Sequence, residues 1–234
     1  MKRVYFIIPA YNEEETILKV LEEWYPIVEK CGSDSRLVII DDGSKDSTLA
    51  IMQEFAKTHA QFEPIAKPNS GHGATILYGY KYAIEHQADY IFQTDSDGQT
   101  SAAEFNQFWE LKEQYDMIIG HRNKRQDGFS RIMVTKVLKY VIGLIFHVWL
   151  TDANTPFRLM NAKVLAEYLP LIPDDYNLTN VLISVIYARK HCKVKYLPIT
   201  FKARQGGTNS INLKSINRIG RKAVHDFSHI KKCI

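Results

Sequence analysis

Short apolar segments alternate with longer stretches of helical periodicity through the first half of the chain. The apolar segments have the length of strands and the stretches between them have the length of helices. The expected strands cover 4–8, 36–40, 62–66, 89–94 and 115–119, and the expected helices cover 13–30, 46–58, 73–86 and 101–114. This alternation predicts an α/β fold in which helices cover both faces of a mixed, mainly parallel sheet.

Two carboxylates follow the apolar segment 90–94 directly. Asp95 and Asp97 are two residues apart, so in extended backbone their side chains point to the same side. Two like charges at one place favour a bound cation. With Gln99 as a further oxygen donor, Asp95 and Asp97 are candidate ligands of Mg²⁺ or Mn²⁺, ions that often keep open positions for substrate phosphates. The alternative is that the aspartates only cap the next helix.

Polar and turn-forming residues also follow the first two strands. Segment 9–14 comes after the first strand, and Asp41 and Asp42 open a polar turn after the second. The carboxyl edge of an open α/β sheet is where ligands bind. The sequence therefore predicts one ligand site built from three strand ends.

These segments resemble the signatures of a known family. Residues 8–14, 38–48 and 95–99 are similar to the three signature segments of family 2 glycosyltransferases, which have the Rossmann-like GT-A fold. Further similarities to the family are the glycine-rich segment at 71–74 and the G-x-R strand end at 120–122. Residues 152–158 and 204–210 are similar to elements of the branch with dolichyl-phosphate mannose synthase and bacterial polyprenyl-phosphate sugar transferases. The resemblance runs in order over residues 3–212.

The resemblance implies a nucleotide-sugar donor and assigns roles to single residues. It implies base and ribose contacts from Pro9, Tyr11, Glu13 and Asp41, with Asp42 as a helper. It implies diphosphate contact from Arg204, and contact with a lipid phosphate from Arg122 and Arg131. Guanidinium groups suit such anions because they offer a planar, bidentate fork. One departure is Ile211, where some relatives carry a lysine after the serine that matches Ser210.

The chemistry of sugar transfer defines what a catalytic site needs. The leaving group is a nucleoside diphosphate, whose growing charge a divalent metal neutralises. Asp97 is the leading catalytic candidate. A lipid phosphate acceptor is already a nucleophile near neutral pH, whereas a sugar hydroxyl needs a carboxylate base, for which Asp152 and Asp175 are the candidates. The resemblance implies inversion at the anomeric carbon in either case.

Composition favours a single compact domain. The 234 residues contain no Pro-, Gly- or Ser-rich linker. We expect a nucleotide-sugar-binding half at 1–120, an acceptor-side half at 121–212 and a basic amphipathic helix at 213–234. The three cysteines have no C-x-x-C spacing, which indicates reduced thiols in a cytosolic setting and no zinc site.

The positive charge lies at the carboxyl end of the chain. Residues 185–234 hold 12 Lys or Arg and 1 Asp or Glu, although the net charge of the whole chain is only +4. Residues 214–230 predict a helix with one basic face, either docked on the core or lying on an anionic membrane surface. The apolar segment 134–150 is too short and too interrupted to cross a bilayer, so it is either a buried helix or one that enters the interface. Any membrane attachment is expected to be peripheral or through a partner. The candidate protein partners are a membrane protein or further copies of the chain, and no nucleic-acid partner is expected.

The sequence thus predicts a metal-dependent, inverting transfer of a sugar from UDP- or GDP-sugar to a polyprenyl phosphate at the cytoplasmic membrane face. A family 2 enzyme that extends a cell-surface glycan on a sugar hydroxyl is the alternative. A non-catalytic nucleotide-sugar-binding protein and a phosphoacceptor signalling domain are more distant hypotheses.

Overall fold

The computed structural model describes residues 2–122, 129–202 and Phe227, without the side chains of 122–137. The strands are β1 (Val4–Ala10), β2 (Arg36–Asp41), β3 (Phe62–Ala66), β4 (Tyr90–Gln93), β5 (Met117–Arg122), β6 (Arg158–Asn161) and β7 (Val194–Ile199). The helices are α1 (Ile17–Lys30), α2 (Thr48–Ala56), α3 (His72–Glu85), α4 (Phe105–Trp109), α5 (Phe129–Phe146), α6 (Ala162–Tyr168) and α7 (Thr179–Arg189).

The strands form one mixed sheet in the order β3-β2-β1-β4-β6-β5-β7. Neighbouring strands are parallel except at β6, which is antiparallel to both β4 and β5. The predicted α/β class and mainly parallel sheet are therefore confirmed. Because β6 runs against its neighbours, its first residue lies at the edge of the sheet where β4 ends.

The register brings the ends of four strands together. Ala10 at the end of β1 is level with Asp41 at the end of β2. Gln93 at the end of β4 is level with Ile7 of β1 and with Arg158 at the start of β6. This alignment places the residues that follow β1, β2 and β4 at one edge, as predicted.

Apolar side chains fill the space on both faces of the sheet because consecutive strand residues point to opposite sides. Tyr5 and Ile7 of β1 belong to a cluster with apolar residues of α3 and α7. Phe6 and Ile8 belong to a second cluster with apolar residues of α1 and α4. Every residue of β1 is buried, which is why this central strand is apolar throughout.

Of the four predicted helices, two differ from the observed helices by more than two residues at an end. The expected helix 13–30 begins at Ile17, because 13–16 form a turn in which the backbone carbonyl of Glu13 accepts hydrogen bonds from the N–H groups of Thr16 and Ile17. The expected helix 101–114 is a 3₁₀ turn (Ala102–Glu104) followed by the short α4. After α4, Leu111 and Gln114 donate to carbonyls three residues back, so the chain continues in tight turns.

The apolar segment 134–150 contains most of α5, and no helix among the described residues has both the length and the apolar character that a bilayer crossing requires. The expected basic helix at 213–234 lies outside the described residues except for Phe227. Phe227 is helical and fully buried, and its ring packs against that of Phe146 with centroids 5.3 Å apart.

Candidate active site

A cavity of about 490 Å³ opens at the carboxyl edge of the sheet. Its walls come from the turns after β1, β2 and β4 and from the segment that leads into α3. The lining residues are Pro9, Ala10, Tyr11, Glu13, Asp42, Asn69, Gly71, His72, Thr75, Asp95, Ser96 and Asp97. Six of the predicted site residues thus share one cavity, and they are Pro9, Tyr11, Glu13, Asp42, Asp95 and Asp97.

The two carboxylates lie on the loop after β4. The hydroxyls of Thr94 and Thr100 are hydrogen bonded at 2.8 Å and close the base of this loop. Oδ1 of Asp97 accepts the backbone N–H of Gln99 at 3.1 Å. Oδ1 of Asp95 accepts the side-chain amide of Gln93 at 3.2 Å. Both aspartates are half-buried, so their oxygens are held by the protein while the cavity reaches them.

The donor set suits a hard divalent cation shared with a phosphate ligand. Among the described residues, no three His, Cys, Asp or Glu side chains are grouped closely enough to hold a metal by themselves. Mg²⁺ sites in nucleotide enzymes commonly take one or two carboxylates and complete their shell with water and substrate phosphates. Asp95 and Asp97 in one cavity match that pattern.

Gln99, the third predicted ligand, is not among the residues that line the cavity. Its side chain is buried, and its amide donates to the backbone carbonyl of Lys202 at 3.0 Å. The backbone N–H of Lys202 donates in turn to the carbonyl of Gln99 at 2.8 Å. Gln99 therefore joins the acidic loop to the segment that precedes Arg204. Its role as a metal ligand stays a prediction.

Asp42 organises the wall that leads into α3. Its carboxylate forms a buried ion pair with Lys67 and accepts the backbone N–H groups of Ser70 and Gly71, both at 2.9 Å. Burial on its own raises the pKa of Asp42, but hydrogen bonds from Lys67, Ser70 and Thr75 outweigh it and leave the pKa below that of an ordinary aspartate. This charged carboxylate therefore holds the loop that presents His72.

Asp41 lies beside the cavity, outside its lining. Its Oδ2 accepts the backbone N–H of Ser44 at 3.1 Å. Its Oδ1 is buried and has no hydrogen-bond donor among the described residues. Its predicted contact with the base or ribose stays a prediction.

The residues after β1 line the cavity between the turns that follow β2 and β4, because β1 lies between these strands in the sheet. Tyr11 is 43% exposed, so its ring can reach a ligand. The backbone N–H of Glu13 donates to the hydroxyl of Thr48, and its carboxylate accepts the hydroxyl of Thr16, both at 2.8 Å. Glu13 is therefore held between the starts of α1 and α2 with its carboxylate at the cavity.

The two candidate bases do not line this cavity. Asp152 is buried in the loop before β6, where its Oδ1 accepts the backbone N–H of Asn154 at 3.1 Å. Asp175 is exposed and lines a smaller cavity of about 310 Å³ with Lys67, Tyr78 and Lys81. Its neighbour Asp174 forms an exposed ion pair with Lys81.

The three arginines predicted as anion ligands fall where side chains are not described. Arg122 ends β5 and Arg131 lies in α5, but only their backbones are described. Arg204 lies outside the described residues. Their roles stay predictions.

Sequence reasoning missed several residues at this edge. His72 lines the cavity, and its Nε2 is 3.6 Å from Oδ1 of Asp95. Gln93 holds Asp95, and Asn180 of α7 holds Gln93. The signal for Gln93 was a polar residue at the end of an otherwise apolar strand. Asn180 had no local signal, because it is 87 residues from its partner.

The sheet order and the two carboxylates at its edge define an α/β enzyme of the GT-A-like type. The family model for glycosyl transferase family 2 matches residues 5–169. This match covers more than half of the chain, which therefore belongs to glycosyl transferase family 2.

The relatives and structural neighbours agree with that family. The chain is 23% identical over 202 residues to an undecaprenyl-phosphate 4-deoxy-4-formamido-L-arabinose transferase of Pectobacterium atrosepticum, covering 81% of this chain and 61% of that protein. It is 29% identical over 191 residues to a UDP-N-acetylglucosamine–dolichyl-phosphate N-acetylglucosaminyltransferase of Methanococcus voltae, covering 72% and 74%.

A similar solved structure is glucosyl-3-phosphoglycerate synthase of Mycobacterium tuberculosis in complex with Mn²⁺, UDP-glucose and phosphoglyceric acid. Its TM-score is 0.69 at 16% identity, and the match covers 99% of this chain and 80% of that one. At this identity the likeness establishes the shared fold.

Proposed function

We propose that this enzyme transfers a sugar from a UDP-sugar to a polyprenyl phosphate, with a divalent metal, at the cytoplasmic face of a membrane. The observation that carries the proposal is the cavity that Asp95 and Asp97 line together with residues from the turns after β1 and β2. The loop after β4 supplies carboxylates for a metal that would bind the diphosphate, and the turn after β1 supplies Tyr11 and Glu13 for a nucleoside.

Asp95 and Asp97 would hold the metal, which would supply positive charge against the leaving diphosphate. Gln93 keeps the Asp95 carboxylate in place through its side-chain amide. Asp42 holds the loop that presents His72 on the same cavity. Tyr11 offers an exposed ring on which a base can stack.

Two similar proteins support uridine as the nucleoside. The Methanococcus relative is named for a UDP-sugar donor. The M. tuberculosis neighbour was solved with UDP-glucose.

The arrangement of carboxylates supports a phosphate acceptor. A phosphate monoester carries a nucleophilic oxygen near neutral pH, so its attack requires no protein base. Asp152 and Asp175, the two candidate bases, lie outside the cavity that holds Asp95 and Asp97. The polyprenyl-phosphate acceptors named for the Pectobacterium and Methanococcus relatives point the same way.

An exposed apolar patch supports peripheral contact with a membrane. We use the term α5 patch for Tyr140, Leu144 and Trp149, whose exposed fractions are 61%, 73% and 65%. The rings of Tyr140 and Trp149 meet edge to face with centroids 6.2 Å apart. Lys139 is exposed beside them. Aromatic rings together with a basic residue are typical of the interfacial layer of a bilayer.

The test is release of nucleotide from UDP-, GDP- and dTDP-sugars with Mn²⁺ or Mg²⁺, with and without polyprenyl phosphate. We expect release from a UDP-sugar that requires both the metal and the lipid. Release that requires a glycan in place of the lipid would indicate that the acceptor is a sugar hydroxyl. Absence of metal-dependent release from every donor would overturn the proposal.

A further inference from the structure

We propose that Gln93 and Asn180 are positioning residues for Asp95, so that the first turn of α7 sets the geometry of the carboxylate pair. The inference rests on the proposed function, because Asp95 has this importance only if it holds a metal. Gln93 and Asn180 are both buried, and neither lines the cavity, so they act on the site through Asp95.

Hydrogen bonds connect the core to Asp95 in a row. The hydroxyl of Tyr80 donates to Oδ1 of Asn180 at 3.2 Å and also lies 3.5 Å from Oε1 of Gln93. Nδ2 of Asn180 donates to Oε1 of Gln93 at 3.0 Å. Nε2 of Gln93 donates to Oδ1 of Asp95 at 3.2 Å. Tyr80 is fully buried in α3, so the row starts in the core and ends at the cavity.

In each bond of the row the donor is the residue further from Asp95, and the charge of the Asp95 carboxylate explains this order. An ionised carboxylate only accepts hydrogen bonds, so Gln93 must turn its amide N–H₂ towards Asp95. The carbonyl of Gln93 then faces Asn180, which must donate. The carbonyl of Asn180 in turn faces the Tyr80 hydroxyl. Each side chain therefore has one orientation that satisfies its neighbours, and reversing any amide would place two acceptors against each other.

Arg158 fixes the backbone of Asn180, which lies inside the row. Its guanidinium is fully buried, and Nη1 donates to the backbone carbonyl of Asn180 at 3.0 Å. The same group donates to the carbonyl of Thr155 at 2.8 Å. Burial lowers the pKa of Arg158, while nearby Tyr80, Tyr196 and Asp152 act in the opposite direction. Asn180 is thus anchored by a cation at the start of β6.

The same turn of α7 also holds the backbone beside His72, a further residue of the cavity lining. The hydroxyl of Thr179 donates to the backbone carbonyl of Gly73 at 2.9 Å. Gly73 follows His72 and packs so tightly that a Cβ there would lie 2.3 Å from the carbonyl oxygen of Asn177. Thr179 and Asn180 are consecutive residues of α7. Thr179 therefore holds the backbone beside His72, and Asn180 holds Asp95 through Gln93.

The experiment is titration of Mn²⁺ into the full chain in the presence of UDP, followed by electron paramagnetic resonance of the free ion. Gln93→Met keeps the length of the side chain and removes the bond to Asp95. We expect its Mn²⁺ affinity to fall about tenfold or more, the usual effect of removing a partner that orients a metal ligand. Asn180→Ala, one bond further away, should give a smaller loss in the same direction.

Ser35→Ala is the matched control. Ser35 is equally buried and hydrogen bonded, but it holds the N–H of Val4 at the opposite end of β1. We expect it to lower the melting temperature as much as the test variants and to leave Mn²⁺ affinity unchanged. Wild-type affinity in both Gln93→Met and Asn180→Ala would overturn the positioning role and leave the proposed function intact. Absence of Mn²⁺ binding by the wild-type chain with UDP would overturn both.

Discussion

Gln99 donates its side-chain amide to the backbone carbonyl of Lys202, which lies 103 residues further along the chain. The backbone N–H of Lys202 donates to the backbone carbonyl of Gln99, so two hydrogen bonds join these residues. We use the term clasp for this pair of bonds. One partner follows the acidic loop, and the other directly precedes the segment with the predicted diphosphate ligand Arg204. The clasp therefore ties the two parts of the chain on which diphosphate contacts are expected.

Gln99→Met separates this role from metal ligation. A thioether cannot donate to the carbonyl of Lys202, so the clasp loses a bond worth about 1 kcal/mol. We expect the KM for the donor to rise several-fold with Mn²⁺ affinity unchanged, measured by nucleotide release and Mn²⁺ titration. Weaker Mn²⁺ binding would indicate that residue 99 ligates the metal. Gln61→Met is the control, because Gln61 donates to the carbonyls of Gly32 and Ser35 outside the cavity.

Asp97→Ala should reduce nucleotide release by about 10² to 10³. The carboxylate would neutralise charge through the metal, and no other described acidic residue on the loop besides Asp95 lines the cavity. Because Asp97 is half-buried, the melting temperature should change little. Asp34→Ala, which removes an exposed carboxylate before β2, serves as the control for lost charge. Activity that survives Asp97→Ala would contradict its assignment.

Asp42→Asn should destabilise the protein by roughly 1.5 to 3 kcal/mol, the range for hydrogen bonds to charged groups. The amide would leave Lys67 without its buried counter-charge. Asp174→Asn breaks an exposed pair with Lys81 and should cost less than about 1 kcal/mol. Urea unfolding of the three proteins at pH 7 measures both differences. Equal losses of unfolding free energy in Asp42→Asn and Asp174→Asn would show that the Asp42–Lys67 ion pair does not stabilise the fold.

The lowered pKa of Asp42 predicts that the loss of stability in Asp42→Asn depends on pH. The pKa of Asp42 is lower in the folded protein than in the unfolded chain, where aspartate has a pKa of about 3.9. Its contribution is therefore complete above that value and is lost as pH falls through the folded pKa. The stability gap between wild type and Asp42→Asn should be widest near pH 7 and narrow below about pH 4. A constant gap from pH 7 to pH 3 would contradict the charged role of Asp42.

Trp149→Ser should weaken binding to vesicles that contain anionic lipid. Trp149 is the largest side chain of the α5 patch, and partial burial in the interface is worth about 1 to 2 kcal/mol, or roughly tenfold in affinity. Flotation with vesicles of phosphatidylglycerol and phosphatidylcholine measures the change. Leu18→Ser, an exposed apolar residue of α1, is the control. Unchanged flotation of Trp149→Ser would remove the patch from the proposed membrane contact.

The parts of the site that follow strands were predictable from the sequence. Apolar segments mark β1, β2 and β4, and parallel strands place Glu13, Asp42 and Asp97 at one edge. This prediction required only the period of the strands and the direction of the sheet.

The hydrogen bonds that hold Asp95 through Gln93 and Asn180 were not predictable in the same way. Asn180 meets Gln93 only because β6 enters the sheet antiparallel beside β4 and α7 packs on that face. Nothing local in the sequence reports such a long-range contact. Asp175 lines a different cavity from Asp95 and Asp97, so its role as a base stays a prediction. The short α4 reflects a tertiary context that favours 3₁₀ turns over a longer helix.

The position of β6 in the sheet restricts where the polypeptide chain can be divided. Both neighbours of β5 in the sheet, β6 and β7, come from residues after 157. A fragment that stops at residue 120 would carry most of β5 with no strand to pair with, and would leave the edge of β4 uncovered. Unpaired edges of this kind promote aggregation. Recombination or split-protein designs therefore need a junction beyond β6, so that donor specificity can be exchanged only together with the strand that contains Arg158.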